Sequence, residues 1–238
     1  MKCILLCAGY ATRMYPLTEN FPKPLLEIKG KALIDYLIED LEYNNLIDEY
    51  VIVSNHKFIN HFNNWKNKHV IKNITILDDG SISNETRLGA VNDIWFAIEN
   101  ATINDDILVL AGDNILDFSL KSFVEFSNKH KSNAVMCYYE TENSRLQRTG
   151  VAVIDENGKI LEMTEKPKNP KSNWAIPPFY IFKNRSLQEI KKGIDSGCKT
   201  DAPGSFIEWF CKRNEVYAYE MPGKRIDIGN LDDYYKIK

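Results

Sequence analysis

Two hydrophobic patterns alternate through the first 140 residues. Short, nearly unbroken apolar runs at 2–7 (KCILLC), 49–55 (EYVIVSN), 73–79 (NITILDD), 105–114 (DDILVLAGDN) and 132–140 (SNAVMCYYE) read as strands covered on both faces. Between them, 32–45 carries apolar residues at 33, 34, 37, 38 and 41, which is helical spacing. Residues 88–100 and 119–130 also read as helices, the latter with Asp117 or Ser119 as its cap. This alternation predicts an α/β fold, a mostly parallel central sheet with helices on both faces. In such a sheet a ligand sits beyond the carboxyl ends of the strands, where both the loop after residue 7 and Gly112-Asp113-Asn114 fall.

The second half reads differently. Residues 149–167 predict two strands joined by a turn at 156–158, and 175–183 (AIPPFYIFK) a third. Helices are expected at 186–194, 204–213 and 230–237, with Asp232 and Asp233 as first-turn charges of the last, and a strand at 215–221. No linker, repeat or low-complexity tract interrupts the chain, so one domain over 1–238 is expected.

Composition narrows the function classes. A net charge of −3 over 238 residues argues against nonspecific binding to nucleic acid or a membrane surface, while leaving room for a local basic pocket. Five scattered cysteines without a CxxC pair argue against structural zinc, and Cys3 and Cys7 read as reduced core thiols. No apolar run approaches the ~20 residues of a membrane helix, and no secretory leader is recognisable, so the expected location is the cytoplasm.

The stretch AGYATRMYPLTENFPKPLL (8–26) carries more chemistry than a turn requires. A glycine loop after a first strand can offer backbone N–H groups to phosphate oxygens, and Arg13 and Lys23 add fixed positive charge. Prolines at 16, 22 and 24 stiffen it. It is neither a GxGxxG fingerprint nor a GxxxxGK[ST] loop.

The longer string A-G-Y-A-T-R-M-Y-P-L-T, followed by P-K-P-L-L-E-I-K-G-K-A-L-I-D-Y, resembles the opening signature of the sugar-phosphate nucleotidyltransferases, the nucleoside-diphosphate-sugar pyrophosphorylases. GDN at 112–114, EKP at 165–167 and DIG at 227–229 extend the resemblance over the chain, which resembles in form the short, single-domain glucose-1-phosphate thymidylyltransferases. It implies a Rossmann-like, GT-A-like nucleotidyltransferase fold, with a nucleotide-binding half (1–140) and an acceptor-binding half (141–238). It implies Mg²⁺-dependent transfer of a nucleotidyl group from a nucleoside triphosphate, dTTP or UTP ahead of CTP and GTP, to a sugar 1-phosphate, with pyrophosphate leaving.

Roles follow from the same resemblance. Arg13 lies against the triphosphate, and Lys23 reaches the α-phosphate. Leu6, Ala8, Gly9, Ala11 and Thr12 of the first loop, together with Asn84, Gly89 and Asp113, contact the nucleotide; Glu85 competes with Asn84. Asp113 and Asp227 hold Mg²⁺, which takes one or two carboxylates and completes its shell with phosphate oxygens and water. Gly150, Glu165 and Lys166 hold the acceptor, with Phe179 and Tyr180 on its wall. Only eleven residues follow Asp227, so a second, acetyltransferase activity is not expected. Homo-oligomers are common among such proteins.

Three departures bear on this. Ala11 replaces the loop's second glycine, Arg225 replaces an aromatic before x-D-x-G, and Pro178-Phe179 stands where hexose-binding relatives carry a glycine. The last keeps a phosphocholine cytidylyltransferase open as an alternative, with Trp174, Phe179 and Tyr180 as aromatic faces for a quaternary ammonium. A binding protein without turnover is a further alternative, against which Arg13, Lys23, Asp113, Lys166 and Asp227 are all present.

Overall fold

The computed structural model describes residues 1–69, 71 and 73–238. In chain order its elements are β1 (Lys2–Leu6), β2 (Glu27–Ile28), β3 (Lys31–Ala32), α1 (Leu33–Tyr43), β4 (Glu49–Ser54), α2 (Ile59–Lys66), β5 (Ile74–Asp78), α3 (Ala90–Asn100), β6 (Ile107–Ala111), β7 (Asn114–Leu116), α4 (Lys121–His130), β8 (Asn133–Tyr139), α5 (Asn143–Leu146), β9 (Gly150–Ile154), β10 (Ile160–Glu165), β11 (Trp174–Ile176), β12 (Phe179–Phe182), α6 (Leu187–Asp195), α7 (Pro203–Phe210), β13 (Val216–Glu220), β14 (Arg225–Asp227) and α8 (Leu231–Ile237). One sheet runs β10-β9-β11-β8-β12-β6-β1-β4-β5, with β13 also paired to β8.

β1 shows why the apolar runs form this sheet. Cys3 and Leu5 face one hydrophobic cluster and Ile4 the other, and all three are fully buried. A strand between two neighbours, covered above and below, has no solvent face for polar residues. α1, α2 and α4 pack on one face through Leu37, Phe62 and Phe123. α3, α6 and α7 pack on the other through Ile94, Ile190 and Phe206. The expectation of helices on both faces is met.

β1 pairs in parallel with both β4 and β6. The chain moves outward from β1 to β4 and β5 and then returns to β6 on β1's other side. That reversal opens a crevice at the carboxyl ends of β1 and β6. β12, from the second half of the chain, inserts antiparallel between β6 and β8, so both halves share one sheet.

The strand expected at 175–183 is two strands. Pro177 and Pro178 have no N–H to continue a ladder. β11 pairs with Tyr138 and Tyr139 at the end of β8, and β12 with Ala134 and Val135 near its start. Asp117 does not cap α4. Its Oδ1 accepts the Lys224 N–H at 2.6 Å and so fixes the turn into β14, while the N–H of Leu120 donates to Asp40. α2, with Phe58, Phe62 and Trp65 on its buried side, carries a helical spacing that the sequence reading passed over.

Candidate functional site

At the β1–β6 crevice the two loops after these strands enclose a cavity of about 170 Å³. Leu6, Gly9, Ala11 and Arg13 line it from the first loop, Lys23 from the PKP turn, and Asp113 and Gly229 from the far side. Residues far apart in sequence, singled out for nucleotide, metal and cation roles, therefore share one cavity.

Lys23 is not a surface lysine held between prolines. Its residue exposure is 8%, and its Nζ donates to Asp113 Oδ2 at 2.6 Å. Gly112 makes this approach possible, since a Cβ there would lie 2.7 Å from Cys7 Sγ and 3.3 Å from Pro24 Cβ. The other oxygen of Asp113 accepts from Asn114 Nδ2 at 2.8 Å, and Asn114 Oδ1 accepts from Arg225 at 2.6 Å. β14 pairs with β7 so that Asp227 sits opposite Asn114. This short ladder between strands far apart in sequence, invisible to hydrophobic patterning, sets Asp227 across from the residue that follows Asp113. Arg225 lies 3.4 Å from Asp227 and 5.9 Å from the centre of the Tyr138 ring.

The first loop keeps its turn without the second glycine. Ala11 adopts φ 47°, ψ 42°, the left-handed region, and its carbonyl accepts from the Met14 N–H and the Thr18 hydroxyl, both at 2.8 Å. Gly9 and the exposed Thr12 and Arg13 face outward around open space. Asn55 Nδ2 donates to the Ala8 carbonyl at 2.9 Å, and the Tyr10 hydroxyl donates to the Ser81 carbonyl at 2.9 Å, which joins this loop to the segment after β5.

That segment holds Asn84 and Gly89. Gly89 has φ 92°, and a Cβ would lie 2.8 Å from the Thr200 carbonyl oxygen. The glycine lets the start of α3 meet the 200–201 backbone, whose carbonyls accept the N–H groups of Val91 and Ala90. Arg87 bonds to Asp201 at 2.9 Å and to the Asn84 carbonyl at 2.5 Å. Beneath it, Asp93 is 6% exposed. Burial, reinforced by the nearby Asp79 carboxylate, pushes its carboxyl up to about 8.

In the second half of the chain, Glu165 ends β10 and Lys166 follows with φ 48°, its Nζ 3.9 Å from Glu165 Oε1. Burial raises the Glu165 carboxyl, with Lys166 opposing and Glu208 adding to the rise. Gly150 does not open a path to a ligand. A Cβ there would lie 2.3 Å from Met163 Cε and 3.2 Å from Glu165 Oε2, so its missing side chain is filled by the protein itself.

Phe179 and Tyr180 require correction. Successive strand residues point to opposite faces, and both rings are core, 0% and 2% exposed, in different clusters. Trp174 packs edge-on against Tyr139 at 5.3 Å instead. These residues do not build an aromatic cage for a quaternary ammonium. Burial pushes the Tyr180 hydroxyl up, with the Glu165 carboxylate adding to the rise and Arg225 opposing it.

A sequence model of the family described as "Nucleotidyl transferase" matches residues 2–238. The chain belongs to the nucleotidyl transferase family. Over 229 residues it is 30% identical to the bifunctional protein GlmU of Methanocaldococcus jannaschii, covering 96% of this chain and 51% of that protein. It is 26% identical to the UTP–glucose-1-phosphate uridylyltransferase AglF of Haloferax volcanii, covering 98% and 93%. The nucleotidyl transferase fold is shared with a UDP-glucose pyrophosphorylase solved with UDP-glucose, at a TM-score of 0.80 and 22% identity, over 99% of this chain and 96% of that one. The chain spans about half the length of several relatives it matches.

Among the described residues no helix is long and apolar enough to cross a membrane. Nor do three or more His, Cys, Asp or Glu side chains form a metal cage. Asp113 lines the cavity and Asp227 stands opposite Asn114 on the adjoining strand; both carry the hard carboxylate oxygens that Mg²⁺ takes alongside phosphate oxygens and water.

Proposed function

We propose that this chain is a Mg²⁺-dependent sugar-1-phosphate nucleotidyltransferase, using dTTP or UTP as donor and releasing pyrophosphate. The observation that carries the reading is the convergence of Arg13, Lys23 and Asp113 on one cavity, with Asp227 paired opposite Asn114 and Gly229 on the cavity wall. The uridylyl relative, matched over nearly its whole length, supports the choice of pyrimidine donor.

The chemistry asks for charge stabilisation rather than a nucleophilic triad. A phosphate monoester is already an anionic nucleophile near neutral pH, so its oxygen attacks the α-phosphorus without a general base. Lys23, preoriented by Asp113, would meet charge developing at the α-phosphate, and Arg13 would neutralise the leaving pyrophosphate. Asp113 and Asp227 would hold Mg²⁺, which when bound acts as a Lewis acid and aligns the phosphates. Glu165 would accept hydrogen bonds from acceptor hydroxyls, and Lys166 would bind the acceptor phosphate. The 1–140 half then serves the nucleotide and the 141–238 half the acceptor.

The test is pyrophosphate release across a grid of dTTP, UTP, CTP, GTP and ATP against glucose, mannose and N-acetylhexosamine 1-phosphates and phosphocholine, with Asp113→Ala as blank. Release with one sugar 1-phosphate and a pyrimidine donor, abolished in the blank, is the expected result. Release with phosphocholine alone overturns the acceptor, and no release in any cell overturns the enzymatic reading.

A further inference from the structure

Gly204 lies in the first turn of α7 and matches no motif in the sequence. Its backbone conformation is one that alanine adopts freely, since its φ lies outside the left-handed region. Alanine is also the better helix former. The glycine is therefore not explained by the helix. It is explained by what faces it. A Cβ on Gly204 would lie 1.9 Å from Glu165 Oε2 and 2.9 Å from its Cδ. A Cβ on Gly150 would lie 3.2 Å from the same oxygen. The Glu165 carboxylate thus occupies a slot between two glycines, one on β9 and one on α7. Glu208 of α7 closes the arrangement by accepting the Glu165 N–H at 3.1 Å.

We propose that Gly204 is a positioning residue for the acceptor site: its missing side chain is the space that holds the Glu165 carboxylate in place between α7 and β9 for hydrogen bonding to the hydroxyls of a polyol or sugar phosphate. This rests on the proposed acceptor role of Glu165. The group in the way is the end of a flexible side chain. An added methyl would therefore be relieved by swinging the carboxylate out toward solvent and Lys166, not by moving the backbone. The cost falls on acceptor binding rather than on folding.

The experiment compares wild type, Gly204→Ala, Glu165→Asp and the double variant. For each, KM is measured for the donor and for the sugar 1-phosphate identified in the grid. Gly204→Ala is expected to raise the acceptor KM about tenfold or more and to leave the donor KM within about twofold, with thermal stability maintained. The shorter Asp should rescue. In the Glu165→Asp background, Gly204→Ala should change the acceptor KM by less than half as many decades. An unchanged acceptor KM, or equal rises in both KM values, overturns the proposal while the enzymatic reading stands.

If wild type releases no pyrophosphate with any acceptor, the enzymatic reading fails and the positioning claim is judged by carboxyl NMR titration. The Glu165 signal, assigned by its loss in Glu165→Gln, should titrate lower in Gly204→Ala, because the group moves into water and nearer Lys166. An unmoved titration overturns the positioning.

Discussion

Lys23 Nζ donates to Asp113 Oδ2 at 2.6 Å across 90 residues of sequence. The pair sits on the wall of the cavity, with the Lys23 side chain 10% exposed and that of Asp113 30%. An ion pair on the wall of such a cavity does two things if the cavity takes a polyanion, as proposed. It keeps the lysine extended before substrate arrives, and it keeps both charges where a phosphate and a cation would compete for them.

Lys23→Ala should lower kcat by about 10²–10³, the usual loss for one donor to developing transition-state charge. Lys23→Arg should recover little, because a planar guanidinium does not replace a point charge in a slot between two prolines. Steady-state kinetics on the three proteins check this. A kcat within threefold of wild type for Lys23→Ala would remove Lys23 from the chemistry.

Asp227→Asn should raise the Mg²⁺ concentration for half-maximal rate by about tenfold or more, and Asp113→Asn should raise it further while also releasing Lys23. Titrating the rate with Mg²⁺ at saturating donor separates metal loss from a general defect. If both variants are restored to wild-type rate by excess Mg²⁺, the two carboxylates serve the ion alone. If Asp113→Asn is not restored, its hold on Lys23 matters independently.

Ala11→Gly should stabilise the fold or leave it unchanged. Ala11 holds φ 47°, which costs an L-residue about 1–2 kcal/mol relative to the right-handed region. Glycine adds back roughly 0.5–1 kcal/mol of chain entropy on unfolding. The net expectation is a gain of about 0–1.5 kcal/mol, or up to about 6 °C in Tm for a chain of this size. A fall in Tm beyond 3 °C would mean that the methyl makes a contact worth more than the strain.

Asp93→Asn tests the buried acid behind the Asn84 segment. The Asp93 carboxyl titrates at about 8 when folded and near its ordinary 3.8 when unfolded. Between those values the folded chain holds a proton that the unfolded chain has lost. Stability from this group is therefore full at low pH and declines as pH rises through about 8. The neutral amide avoids this penalty and offers an N–H toward the unpartnered Asp79 Oδ2. The variant's Tm should match wild type near pH 4 and exceed it by roughly 4–8 °C at pH 8. A Tm difference independent of pH would show that Asp93 ionises normally.

Element by element, the chain shows how far patterning reaches. The unbroken KCILLC run could only be a central strand, and the 33, 34, 37, 38, 41 spacing could only bury one helix face. The 175–183 run reads as one strand with a proline pair at its entry, because hydrophobicity alone does not register a missing N–H. Phe179 and Tyr180 read as acceptor wall only through the resemblance. Adjacency in a strand sends two rings to opposite faces, and only the position of β12 between β6 and β8 makes both faces core.

Local chemistry, then, was determined by the sequence itself: where most of the long strands and helices form, which glycine loop follows the first strand, and which Asp and Lys residues stand at strand exits. Short-range sterics and periodicity decide these, and each can be read from neighbouring residues. The tertiary structure alone decided which of those groups meet. Lys23 meets Asp113, Asp227 docks beside Asn114, and Gly204 yields its space to Glu165 through pairings between segments 39 to 113 residues apart. Such contacts depend on strand order and on the volume of a side chain that is not there, and neither quantity is carried by any local window of the chain.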